Sequence, residues 1–363
     1  MKHNTLHKNG ILRYVLPFLA WAVFLVHEQF HLPFFNIIVI VMLLVAVLQA
    51  VHHAEVIAHR VGQPFGSMVL ALAVTCIEVS LIISMMLAAG NESPAIARDT
   101  VFASIMIILT GMLGLSIFIG GVKYGEQSYL LKGVNASLIT LVAISCLTLI
   151  LPDFTKSTPG PYYTDNQLLF VALVSLVLYI SFVFVQNFKH KDHFIADMET
   201  EQHHIPVILK PSAKHVLIST LLLFICLGAV TMLAESLAPD LDDVLDRFML
   251  PHSIAGIVIA SIVLMPEALS SLKASSSNQL QKSVNLSMGS ALASIGLTIP
   301  IVAIVSIVSG HPLALGIEPI SAILFVLALF TITLAFSTGQ TSIMHGIVLM
   351  VIFATYIFMT LIP

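Results

Sequence analysis

The stretch AVTCIEVSLIISM, residues 73–85, sets one carboxylate, Glu78, in the middle of a run that otherwise reads as hydrocarbon. As a helix, the surrounding run at residues 66–89 is long enough to cross about 30 Å of bilayer core. Comparable runs recur along the whole chain, and the alternation expected of an outer-membrane barrel strand does not. The expected fold class is therefore an all-α polytopic membrane protein, whose spans satisfy their own backbone hydrogen bonds. Composition agrees: of 363 residues, 58% are hydrophobic and only 9% charged, with a mean hydropathy of +1.01, far outside the soluble range.

Runs of spanning length predict eleven transmembrane helices, near residues 11–26, 33–52, 66–89, 98–121, 134–151, 168–186, 215–237, 251–272, 283–309, 313–336 and 342–361. The first follows Lys2, Lys8 and Arg13 as a signal peptide would, but HEQFHLPFF replaces a small-residue cleavage site, so it reads as retained. A cytoplasmic N-terminus puts twelve basic residues inside (Lys2, Lys8, Arg13, Arg60, Lys123, Lys132, Lys189, Lys191, Lys210, Lys214, Lys273, Lys282) and three outside, Arg98, Lys156 and Arg247. That asymmetry follows the positive-inside rule and sends the C-terminus to the periplasmic or extracellular side. PDLDDVLDR, residues 239–247, reads as an outer loop whose Asp240, Asp242, Asp243 and Asp246 either attract cations or are simply solvated. Cys76, Cys146 and Cys226 lie in apolar runs with no disulfide or zinc spacing and read as packing residues.

The organisation follows. Residues 1–32 form an N-terminal segment with an extra first transmembrane helix, 33–186 a first five-helix repeat, 187–214 a cytoplasmic linker and 215–363 a second five-helix repeat. The linker carries His190, His193, His203 and His204 among acids, a mixed polar tract that serves as a tether or as a metal sensor. Five is odd, so related halves enter the membrane in opposite orientations. IEVSLIISMMLAAGNESPAIARDTVFASIMIILTG, from residue 77, and PEALSSLKASSSNQLQKSVNLSMGSALASIGLTIP, from residue 266, each place a Glu second, then a polar loop, then a Ser-bearing apolar helix. Glu78 precedes Ser104 by 26 residues, and Glu267 precedes Ser290 by 23. This is the inverted-repeat pattern of secondary transporters with a midplane site.

An ionised side chain at a helix centre costs about 3 kcal/mol on insertion scales, so a matched pair points to function rather than packing. No intramembrane Lys or Arg lies nearby in sequence as a salt-bridge partner, so the missing positive charge is a proton or a cation. Two facing carboxylates titrate as one coupled unit, and a metal cation between them expels protons. A hard cation such as Ca²⁺ takes six to eight oxygens. Thr75, one turn before Glu78, and Ser104, Ser290 and Ser294 are the candidate helpers, each equally able to back-bond to its own helix. Pro266, directly before Glu267, frees carbonyls in the preceding turn or merely kinks it.

These residues carry a resemblance. AEVIAHRVGQPFGSMVLALAVTCIE, residues 54–78, resembles the first signature repeat of the calcium/proton exchangers of the calcium:cation antiporter superfamily, TE-x-LA…G…GG…GNATE, with Glu55, Ala58, Gly62, Gly66 and Glu78 on matching positions. GGVKYGEQSYLLKGVNA (residues 120–136), GSALAS (289–294) and FSTGQTSIMHG (336–346) are similar to three further segments of that family. AEVIAHRVGQPFGS and MPE approach the segments of its bacterial ChaA-type sodium/potassium/calcium:proton antiporters. The resemblance spans about residues 54–361 and implies a one-plus-five-plus-five inverted repeat, a bacterial inner membrane and an exchanging site at Glu78 and Glu267. Val74-Thr75 and Val263-Leu264 replace the family's Gly-Asn, removing two amide oxygens near the ion and leaving room for Na⁺ or K⁺ beside Ca²⁺.

Other readings follow from the same residues. In HHAEVIAH, residues 52–59, His52, Glu55 and His59 share a helix face but lack the H-E-x-x-H spacing of a metalloprotease. Glu55 and His59 read instead as an inner entrance for ions or protons, or as an ordinary interfacial helix end. Embedded carboxylates also line passive cation channels, which conduct without proton counterflow, and a purely structural scaffold would transport nothing. The leading expectation is a secondary antiporter with no catalytic residue and no cofactor. Its partners are the bilayer, the transported Ca²⁺, Na⁺ or K⁺ and protons, with no nucleic acid.

Overall fold

The computed structural model describes residues 3–30, 35–62, 65–89, 94–194, 211–251 and 253–362. Among them the chain forms α1 (His3–Phe30), α2 (Phe35–Val61), α3 (Phe65–Ala89), α4 (Ile96–Met106), α5 (Leu113–Tyr124), α6 (Leu131–Ser145), α7 (Asp165–Phe184), α8 (Ala213–Arg247), α9 (Ser253–Val263), α10 (Met265–Ser276), α11 (Leu280–Ser309), α12 (Pro319–Ala335) and α13 (Ile343–Leu361). A π turn, Ile107–Met112, joins α4 to α5, and others extend α6 (Cys146–Ile150) and α7 (Val185–Lys189). The protein is a polytopic all-α membrane protein. Seven described helical segments are long and apolar enough to cross a bilayer, α9 with α10 would make an eighth, and Ala71–Leu87 and Pro319–Ala335 are shorter apolar helices.

Local chemistry explains where the helices begin and end. The Thr164 hydroxyl and the Gln167 side chain cap α7 reciprocally, and Ser342 and His345 do the same for α13. Gly310, at φ 74°, closes α11 in the left-handed conformation that glycine adopts without strain. On α7, Phe170, Leu173, Val177, Ile180 and Phe184 are exposed at helical spacing. Such a continuous apolar face suits lipid rather than water.

Three segments depart from the sequence expectation. Residues 239–247 are not a loop: α8 runs through Pro239 to Arg247, because Leu241 and Leu245 sit one turn apart and Leu245 is buried. The polar stretch after Glu267 is largely helical, with α10 reaching Ser276 and α11 starting at Leu280; its serines find partners on neighbouring helices. The expected span at 251–272 is broken, with α9 and α10 bent by 56°. Pro266 has no N–H for the Ile262 carbonyl, which accounts for the break. The linker is described over residues 187–194 and 211–214, with His190 and His193 stacked at 4.9 Å. His203 and His204 lie outside the described residues.

Contacts divide the chain into two units, Met1–Ala88 with Pro206–Leu250 and Ala89–Ile205 with Pro251–Pro363. In the first, α1, α2 and α8 pack on one another. Trp21 donates to the Ile225 carbonyl at 3.0 Å, and Tyr14 and His215 are joined at 3.1 Å. In the second, α11 packs against α4, α5, α6, α7 and α10, and α5 lies along α13. The segments at residues 120–136 and 336–346 meet there, as Gln127 and Ser128 pair antiparallel with Thr341 and Gln340.

The α5–α13 approach depends on Gly114, Gly121 and Gly346. A Cβ on Gly346 would stand 2.6 Å from the Phe118 amide nitrogen and 2.8 Å from the Gly114 carbonyl oxygen. Backbone cannot yield as a flexible side chain can. Gly346→Ala should therefore destabilise the protein by about 1–3 kcal/mol, read as a lower thermal midpoint in detergent. Gly289→Ala, where nothing lies within 4 Å, should leave it unchanged or raise it.

Candidate cation site

In the first unit, α3 carries Glu78, which is 4% exposed among buried Val74, Ile77, Val79 and Leu81. Thr75 is buried one turn away, and its hydroxyl donates to the Ala71 carbonyl at 2.9 Å. That back-bond commits the proton and leaves the oxygen lone pairs directed away from it, the state in which a hydroxyl can accept a cation. Both expectations for Thr75 are thus compatible, the helix bond and a ligand role.

In the second unit, Glu267 is 7% exposed and occupies the first turn of α10, directly after the break. A helix N-terminus favours negative charge. The break also leaves the Ile262 carbonyl without its helical donor. Ser104 on α4 and Ser294 on α11 are buried, while Ser290 is half-buried. The unit brings their helices together, since α4 packs on both α9 and α11, and α10 packs on α11. A π turn begins three residues after Ser104, a backbone irregularity frequent at functional sites.

Glu55 and His59 are exposed near the C-terminal end of α2. The Glu55 carboxylate lies 4.0 Å from His52, which Arg13 contacts at 3.0 Å. Among the described residues, no three of His, Cys, Asp and Glu gather to hold a metal ion. A cation at either glutamate therefore needs hydroxyl, carbonyl or water oxygens as well.

The sodium/calcium exchanger protein model matches residues 31–188 and 218–362. The chain belongs to that family. It is 42% identical over 318 residues to a putative ionic transporter, y4hA, of Sinorhizobium fredii, covering 88% of this chain and 86% of the relative. It is 34% identical to the sodium-potassium/proton antiporter ChaA of Escherichia coli, covering 98% of this chain and 96% of the other. Among solved structures it shares its fold with the H⁺/Ca²⁺ exchanger CAX, at a TM-score of 0.73 and 16% identity over 98% of this chain and 89% of that one. Native YfkE also scores 0.73, at 17% identity over 97% of this chain and all of that one.

In this family member, several polar groups escaped the sequence reading. Arg98, expected only as an outer charge, is buried: two of its nitrogens reach one Asp99 oxygen at 2.8 Å, and a third donates to the Gly316 carbonyl at 2.6 Å. Its neighbour Asp99 is adjacent in sequence, but Gly316 is 218 residues away. Buried His27 lies 3.0 Å from Asn36 and 3.7 Å from Asp240. A cluster of serine hydroxyls joins α5, α10 and α11. The only sequence signal for it was the serine density of SSLKASSS, residues 270–277, followed by Ser283 and Ser287 one turn apart.

Proposed function

We propose that the protein is a cation/proton antiporter working by alternating access, exporting Ca²⁺, and Na⁺ or K⁺, in exchange for inward protons. Glu78 and Glu267 take the cation or the protons alternately, helped by Thr75, Ser104, Ser290 and Ser294. The observation that carries this reading is the presence of one buried carboxylate in each half of the sequence, Glu78 within the apolar α3 and Glu267 in the first turn of α10, directly after the helix break. An empty site with both groups ionised is too costly to occlude in a low-dielectric interior, so exchange is obligatory. Membership of the exchanger family and the sodium-potassium/proton assignment of the Escherichia coli relative support the same reading.

The remaining expectations belong to it. The chain lies in the bacterial inner membrane with its N-terminus cytoplasmic, as one helix followed by two inverted five-helix repeats. Glu55 and His59 form the inner entrance.

The test is everted vesicles carrying the protein, with a pH-sensitive dye and Ca²⁺, Na⁺ and K⁺ added separately. Each transported ion should release protons from an acidified lumen. Cation flux without proton counterflow would make the protein a channel. Protons and cation compete for the same carboxylates, so apparent cation affinity should weaken as pH falls. The weakening should approach tenfold per pH unit for each proton exchanged. An affinity independent of pH would remove the shared site.

A further inference from the structure

One face of α10 carries Glu267, Ser271 and Ser275 at successive turns, all buried. Ser271 is the meeting point of hydroxyls from three helices. Its Oγ lies 3.0 Å from that of Ser116 on α5, and 2.7 and 3.3 Å from those of Ser283 and Ser287 on α11. All four residues have zero exposure. Ser287 also donates to the Ser283 carbonyl at 2.9 Å, so its own proton is committed and it faces Ser271 as an acceptor. One turn further on, Ser275 donates to the Ser116 carbonyl at 2.5 Å. Gln127 donates to the Ser275 carbonyl at 3.3 Å and to Asn278 at 2.9 Å. A side chain on Gly120 would run into the Gln127 amide oxygen and the Ser275 hydroxyl, so the surroundings are closely packed.

The cluster is not a proton wire. Ser275 donates its hydrogen bond to a backbone carbonyl, which has no proton to hand on. What it does is fix a helix. The 56° break leaves α10 without the support of a continuous helix on its N-terminal side, so its orientation comes from its flanks. The bonds at Ser271 tie it to both flanking helices, one turn from Glu267. Bonds among fully buried hydroxyls are directional, and each is expensive to leave unmade.

We infer that Ser271 is a positioning residue for cation exchange: through Ser116, Ser283 and Ser287 it holds the first turn of α10 so that Glu267 is presented to its cation. The inference rests on the antiport reading above.

The experiment uses the full chain in everted vesicles. Half-saturating cation concentration and maximal rate are measured for wild type, Ser271→Ala, Ser271→Cys, Ser271→Thr and Glu267→Gln, with thermal midpoints in detergent. Ser271→Ala should raise the half-saturating concentration roughly tenfold, the size of one lost buried hydrogen bond, with maximal rate within about a factor of three. Ser271→Cys keeps the shape but bonds weakly and should behave like Ser271→Ala. Ser271→Thr keeps the hydroxyl and should recover most of the affinity. If half-saturation is unchanged in Ser271→Ala and Ser271→Cys while Glu267→Gln is silent, the positioning role is overturned and the exchange reading stands. A fall in rate and thermal midpoint at constant affinity would overturn the positioning role in the same way. Wild-type vesicles without exchange, or Glu267→Gln at the wild-type rate, would overturn the exchange reading and the positioning role with it.

Discussion

Glu78→Gln should reduce cation-dependent proton release in everted vesicles by about 100-fold or more, and Glu267→Gln should do the same. The side chain keeps its volume and loses its negative charge, so both variants should fold and reach the membrane. A buried carboxylate held to a cation represents about 3 kcal/mol of interaction that an amide does not replace, and each 1.4 kcal/mol is tenfold. The proposed exchange requires both carboxylates, so the two effects should not add. Glu78→Asp, which retracts the charge by one methylene, should retain measurable exchange with weakened affinity. Wild-type exchange in either glutamine variant would remove the proposed site.

Arg98→Met should lower stability by about 3–5 kcal/mol, the usual consequence of taking one partner from a buried ion pair. Arg98 is well placed for so large an effect. It is 9% exposed, its fork holds Asp99, and it donates to the Gly316 carbonyl, tying α4 to the chain before α12. Asp153 fills the space where a side chain at residue 316 would sit, so a second carboxylate lies beside Gly316. The loss should appear as a lower thermal midpoint in detergent. Replacing Asp99 as well, in Arg98→Met with Asp99→Leu, should recover part of it, since no charge of that pair is then stranded. A midpoint within experimental error of wild type for Arg98→Met would show that the pair does not hold this end of the unit.

The contrast between these sites shows what was legible. Glu78 and Glu267 stood out because each breaks an apolar run, and the cost of burying a charge depends on its immediate surroundings. Pro266 marked a helix break because a missing N–H acts within one turn. The reading of residues 239–247 as an outer loop failed on the same local ground. Proline and four aspartates suggested an end, yet Leu245 finds a buried place that only neighbouring helices supply, and α8 continues. The serines of residues 270–277 looked like a polar loop, since a serine is cheap in either setting and its partners were not in view.

By itself the sequence determined the membrane class, the apolar segments and the two carboxylates, all of which follow from transfer costs and backbone chemistry within a few residues. Only the tertiary structure decided that Ser271 meets Ser116 and Ser283, 155 and 12 residues away, that Arg98 grips Gly316 across 218, and that Gly346 lets α13 touch α5. Burial cost is a property of a segment, whereas a hydrogen bond or a close backbone approach belongs to a pair. Pairs this distant are chosen by how the helices pack.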